Sequence, residues 1–355
     1  MNSLALSATS ASSASPAPAG RTASASARGV GPDSASGSAS GSGSASGSGT
    51  GGRPRTGRRV RSRSTGPALA GAALLLPALA AVLAVSLYPV LRTLWLSAHD
   101  AGFAGPERLT GFANLQRLLG DGLFWNAWWH TVAFAFGSTL VETVLGIGFA
   151  LVLHRSFRGR GLVRAAVLIP WAIPTVVTSR MFGWIFDGRS GVANYLLSRL
   201  HLTGHYVDFL GDPHTALPTI ALADVWKTTP FMAILVLAAL QTVPAELAES
   251  ARVDGASPWR TFRSITLPVI APSLLIAALL RILDAFRIFD LPYVLTGGGP
   301  ADSTETLSTF GYKTLFSGLE LGYGSMVATA AFVTEVFIAA AFAWYLARRY
   351  RALEG

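Results

Sequence analysis

The stretch ALAGAALLLPALAAVLAVSLYPVL, residues 68 to 91, runs for 24 residues without a charged side chain. A helix needs about 20 apolar residues to cross the hydrocarbon core of a bilayer, and a secretory signal has an apolar region of only about 7–15, so this run reads as a membrane span. Continued past Arg92 it covers about residues 68–96. Two further runs are almost as clean: 131–153 carries only Glu142, and 325–346 only Glu335. Three others are interrupted: 165–186 by Pro170, Pro174 and Arg180, 216–241 by Asp224 and Lys227, and 268–290 by Arg281, Asp284 and Arg287. Taken singly, each of these three also fits a buried helix. Composition favours the membrane, because only 13% of the 355 residues are charged, against about 25% in soluble domains. The expected fold is an all-α membrane protein of six transmembrane helices.

Arginine placement tests the six-span arrangement independently, because short loops left in the cytoplasm collect basic residues. With the N-terminus inside, eighteen of the 28 basic residues fall on inner segments: eight before the first span, Arg155, Arg158, Arg160 and Arg164, Arg252, Arg260 and Arg263, and Arg348, Arg349 and Arg351. Five (Arg108, Arg117, Arg189, Arg199 and Lys313) fall on outer loops. Both termini are therefore expected in the cytoplasm. Trp95, Trp125, Trp128, Trp129 and Trp184 gather near the expected outer interface, where indole rings prefer to lie.

Residues 1–66 are a Ser/Ala/Gly/Arg mixture with one acidic residue, Asp33, and cannot bury enough apolar surface to fold. They are expected to be a disordered, cytoplasmic basic tail ahead of a membrane domain over 67–350. A transit peptide and a nucleic-acid-binding cluster at Arg53 to Arg63 are the alternatives weighed against that reading; no nucleic-acid partner is expected. The chain has no cysteine, which excludes disulfides and thiolate metal sites.

Between the fourth and fifth spans lies VPAELAESARVDGASPWRTFRSITLPVIAP, residues 243–272. Pro244 suits a first helical position and Glu246 and Glu249 an N-terminal turn, Asp254-Gly255 breaks the helix, and Ser257-Pro258 starts another. In the second helix Trp259, Phe262 and Ile265 recur every three residues and make one apolar face, and Pro268 is expected to close it and open the next span. Such a face needs a cover: the chain's own membrane domain, lipid or another protein.

The run Glu249-Ser250-Ala251, then Asp254-Gly255, then Phe262, Ile265, Leu267 and Pro268 resembles the EAA loop of binding-protein-dependent ABC importer permeases, with Ser250 where that family usually has alanine. The stretches FDGRSGVANYLL, 186–197, and LTGGGPADSTETLSTFGYKTLF, 295–316, are similar to outer segments of the carbohydrate-uptake type, like the larger maltose-transporter and glycerol-phosphate-transporter permease subunits. The resemblance implies the type I importer permease fold. It also implies a coupling loop at 243–267 that meets an ATPase through Glu249, Ser250, Ala251, Asp254, Gly255, Phe262 and Pro268. The implied partners are a second permease, two ATP-binding cassette subunits and an extracytoplasmic solute-binding protein, in the lipid of a bacterial plasma membrane, with ATP and magnesium held by the ATPases.

No Gly-x-x-x-x-Gly-Lys-[Ser/Thr] occurs, since neither lysine follows a glycine, and no cofactor, metal or catalytic group is expected in this chain. An anion nest at Gly297 to Pro300 is the lesser reading of that loop. Charges at membrane depth need partners or a cavity. Asp224 with Lys227, and Arg281 with Asp284, stand three apart on a helix and are read as ion pairs, while Glu142 and Glu335 are expected to pair across helices or with the second permease. Prolines 170, 174, 218, 230 and 272 point to a solute path along spans three to five, without naming solute contacts. The rival functions are an ion-coupled secondary transporter acting alone and a membrane-embedded enzyme. The latter needs converging ligands, and the only i, i+4 histidine pair, His201 and His205, falls in an outer loop.

Overall fold

The computed structural model describes residues 75–103 and 105–354, so the expected tail over 1–66 and the first residues of the opening span lie outside the described residues. Helix α1, Leu75–Ser97, leads to a short antiparallel ribbon of β1, His99–Asp100, and β2, Arg108–Leu109. Next come α2, Ala113–Gly120, and α3, Gly122–His154. The latter starts at Gly122 instead of the expected Thr131, because Asp121 caps it by accepting the Leu123 N–H at 2.9 Å.

The third expected span is a bent pair: α4, Arg160–Ala172, meets α5, Thr175–Ile185, at 90°. Pro174 biases the residue before it away from helical geometry, and Ile173 is extended, with ψ 131°. After α6, Val192–Arg199, the long α7, Ala216–Leu240, is followed by α8, Ala245–Val253, and the single turn α9, Pro258–Thr261. Then follow α10, Leu267–Phe286, α11, Asp290–Leu295, α12, Leu307–Tyr312, and α13, Leu321–Glu354. Among the described residues five helices are long and apolar enough to cross a bilayer, and the bent α4–α5 pair makes a sixth crossing if counted as one.

Pro268 does not end the helix it was expected to close. A π turn over Phe262–Thr266 joins α9 to α10, with the Leu267 N–H bonded to the Phe262 carbonyl. A proline ring presses on the carbonyl four residues earlier, and an extra residue in the preceding turn relieves that pressure without breaking the helix. The same device precedes Tyr88-Pro89, where Leu83–Leu87 forms a π turn inside α1.

The core is built where α7 packs along α3 and α10 lies against both. Phe134, Ile220, Ala223, Ile282 and Phe286 form one buried cluster, and Ala150, Met232, Val236, Ile270 and Ala277 another. Small residues let membrane helices approach closely, since lipid supplies no hydrophobic drive between them. At Gly146 of α3 an added Cβ would lie 2.7 Å from Met232 Cγ and 3.2 Å from the Ala233 amide nitrogen. Gly146→Val is therefore expected to cost about 1–3 kcal/mol by overpacking, read as a lowered melting temperature in detergent, and an unchanged melting temperature would show that the contact yields freely.

Candidate functional site: a helix-turn-helix loop and a buried charge cluster

The α8–α9 turn forms for local reasons. Helix α8 ends in a Schellman motif: the Gly255 N–H bonds the Arg252 carbonyl at 3.1 Å and the Ala256 N–H bonds the Ala251 carbonyl at 2.9 Å. This requires a left-handed residue after Asp254, and Gly255 has φ +75°. Ser257 then caps α9 by accepting the Arg260 N–H at 3.3 Å. Glu249, Ser250, Asp254 and Gly255 are exposed, and Ala251 is buried beneath them. The apolar face expected in the second helix is split. Trp259 stands out, 69% exposed, and stacks at 5.7 Å on Phe262, whereas Phe262 and Ile265 turn half inward where the helix runs on into α10. Pro268 is exposed in the first turn of α10. The turn thus offers solvent a compact surface of two carboxylates, a glycine and an indole.

Deeper in the bundle, Arg281 of α10 gathers carboxylates from three helices. Its Nε donates to Glu142 Oε2 at 2.6 Å and its Nη2 to Glu142 Oε1 at 3.0 Å, a bidentate pair with α3. Nη2 also reaches Asp224 and, at 3.2 Å, the Thr228 hydroxyl of α7, while Nη1 donates to Asp284 at 3.0 Å. Arg281 is 2% exposed and Glu142 0%, so the group is sealed from lipid and water on that side. One expected pair changes partner: Asp224 binds Arg281, and Lys227 has no ion pair among the described residues. The i, i+3 spacing put Lys227 within reach, but a guanidinium donates in several directions and satisfies Glu142, Asp224 and Asp284 at once. The Arg281–Asp284 pair forms as expected, and Glu142 and Glu335 both pair across helices, Glu335 with Arg287 at 3.5 Å.

A cavity of about 240 Å³ opens beside this cluster, lined by Trp171, Thr175, Asp224, Lys227, Thr228, Arg281 and Asp284 among others. The Asp284 side chain is 74% exposed there. A carboxylate, an ammonium and hydroxyls around one cavity in an otherwise apolar bundle can exchange hydrogen bonds with a polar solute.

At the far end of the bundle the structure shows what the Gly-rich and Asn-containing stretches do. Asn194, fully buried, donates to the Val207 carbonyl at 2.9 Å and accepts the Val207 N–H at 2.9 Å, tying α6 to the following loop. Beside it the Ser190 backbone N–H, then its hydroxyl and the Arg189 N–H, hold the Asp187 carboxyl below the usual carboxylate range. In the other loop Gly298, φ +92°, lies against the Glu305–Lys313 ion pair, and its own carbonyl accepts the Thr304 N–H at 3.1 Å. The loop's amides do not form an open anion nest: the Gly297 N–H already bonds the Tyr293 carbonyl at 3.2 Å and the Gly299 N–H the Thr296 carbonyl at 3.1 Å. Thr131 of α3 accepts the Leu307 N–H at 2.9 Å, fixing α12 to the core. Nothing in residue spacing foretold these ties, except that a buried asparagine must find partners.

A family model described as the binding-protein-dependent transport system inner membrane component matches residues 142–352. The trehalose/maltose transport system permease protein of Thermococcus litoralis is 43% identical over 74% of this chain and 88% of its own. The trehalose transport system permease protein of Mycobacterium tuberculosis is 40% identical over 80% and 89%, and the sulfoquinovosyl glycerol transport system permease protein of Agrobacterium fabrum 36% over 80% and 92%. Among solved structures, a bacterial ABC transporter involved in the import of the acidic polysaccharide alginate superposes with a TM-score of 0.69 at 24% identity, over 79% of this chain and 96% of that one, which speaks for a shared fold.

Proposed function

Because the chain belongs to the family of binding-protein-dependent transport system inner membrane components, we propose that it is the transmembrane permease subunit of an ATP-driven importer for a sugar or sugar-like solute. The observation that carries the cargo is the identity of 36–43% to permeases whose names specify trehalose, maltose and sulfoquinovosyl glycerol. In this reading the chain pairs with a second permease and two ATPase subunits and receives solute from an extracytoplasmic binding protein. ATP and magnesium bind in the ATPases. It sits in a bacterial plasma membrane with both termini in the cytoplasm, and the arginine-rich segments support that orientation.

The α8–Gly255–α9 turn docks on the ATPase, with Glu249, Ser250 and Asp254 at its surface, Gly255 setting its shape, Ala251 and Phe262 supporting it from behind, and Pro268 leading its motion into α10. None of these residues makes or breaks a bond. When the ATPases close, α10 moves, and with it Arg281, which joins α3, α7 and α10. Solute crosses beside that cluster, where Asp284 and Lys227 offer polar contacts.

Co-expression with a second permease, an ATPase and a solute-binding protein of the same transport system tests the cargo. The assembled complex is expected to hydrolyse ATP faster, by about tenfold or more, with binding protein and a disaccharide such as trehalose or maltose. Stimulation by amino acids and by no sugar would overturn the cargo.

A further inference from the structure

At the end of the bundle that carries the α8–α9 turn, four arginines, Arg155, Arg158, Arg160 and Arg164, cluster around the start of α4. None pairs with a carboxylate among the described residues. Arg160 and Arg164 stand four apart, one above the other on the helix. Both are half-buried, and neither Nε has a hydrogen-bond partner. Guanidinium groups drawn partly out of water without an acceptor invite an anion.

Beneath Arg164 a groove of about 260 Å³ runs between α4 and α7. Its walls are Leu153, Val167, Leu168, Pro230, Ile234 and Leu237, and Arg164 is its one charged lining residue. Beyond Leu168 and Pro230, Trp171 stacks on Phe231 at 5.8 Å, one helical turn deeper. The groove therefore pairs an apolar slot at acyl-chain depth with a basic mouth at headgroup depth. A soluble anion leaves the slot unexplained and a neutral lipid leaves the arginines unpaired, whereas an anionic phospholipid satisfies both.

We propose that this groove binds one anionic phospholipid of the inner leaflet, its phosphate held by Arg160 and Arg164 and one acyl chain lying between α4 and α7. The proposal rests on the reading that this end of the bundle is cytoplasmic, which can be checked separately. The chain has no cysteine, so Ser156→Cys in the exposed α3–α4 linker gives a single label site, and labelling from outside intact cells would refute the orientation without touching the groove.

The test is native mass spectrometry of the assembled transporter with phosphatidylglycerol and phosphatidylcholine of matched chains. One phosphatidylglycerol should be retained and phosphatidylcholine should not. Each arginine near a membrane surface contributes about fivefold to anionic-lipid affinity, so Arg160→Gln with Arg164→Gln should weaken retention roughly 30-fold. Ile234→Trp, or Ile234→Phe should the larger ring prevent assembly, should displace the chain and lower retention while the complex stays intact. Millimolar inorganic phosphate should not compete. Equal retention of both lipids, unchanged retention in the arginine variant, displacement by phosphate, or loss of a partner subunit instead of lipid in the Ile234→Phe variant would each overturn the proposal.

Discussion

Replacing Arg281 with methionine is expected to destabilise the membrane domain by about 3–5 kcal/mol, the range found when one partner of a buried ion pair is removed. The loss is large because of what remains. Glu142, 0% exposed, and Asp224, buried on α7, would stay within the bundle without a cation, and water cannot reach Glu142 to solvate it. Asp284, on the exposed side, can turn to water and adds little to the loss. At about 2–4 °C per kcal/mol for a domain of this size, thermal unfolding in detergent should fall by roughly 10 °C. The combined variant Glu142→Gln, Asp224→Asn, Arg281→Met should recover most of that loss, because neutral amides can bond each other where carboxylates repel. An unchanged melting temperature in the single variant would show that the cluster is not a structural tie.

Gly255→Pro should act in the opposite manner, leaving stability nearly intact and removing function. Proline holds φ near −65°, while this position has φ +75°, and proline also lacks the N–H that bonds the Arg252 carbonyl. The Schellman turn cannot form, so α9 leaves α8 in a different direction and Trp259 moves away from its present place. Because the turn is exposed, the six crossings should insert as before. Solute-stimulated ATP hydrolysis by the assembled complex should fall at least tenfold, and Glu249→Lys, which reverses a charge on the same surface, should do likewise. Retained stimulation in reconstituted liposomes, with normal insertion, would remove the turn from the coupling path.

These two variants also mark where sequence was informative. The turn at Asp254-Gly255 was legible because its causes are local: a glycine after a short helix and a serine-proline start. The spans were legible because long uncharged runs have few other fates. What escaped depended on residues far apart in the chain. Arg281 and Glu142 are separated by 139 positions, and Arg281 and Asp224 by 57. Spacing alone offered Asp224 the nearby Lys227, and the tertiary partner prevailed. Pro268 shows a subtler limit. Its ring ordinarily ends a helix, but the preceding π turn, itself without a sequence signature, accommodates it so that α9 runs into α10. The same continuity gives the coupling proposal its lever, because a push on Trp259 is carried along one helix to Arg281 with no loop between to absorb it.

This chain is expected to move solute only when driven by an outside ATPase. Reconstitution into liposomes with the second permease, the ATPases and the binding protein measures it directly. Labelled sugar should accumulate only with ATP and binding protein present, and the chain reconstituted alone should accumulate none under a proton or sodium gradient. Gradient-driven uptake by the chain alone, without ATP, would show it to be an ion-coupled secondary transporter instead.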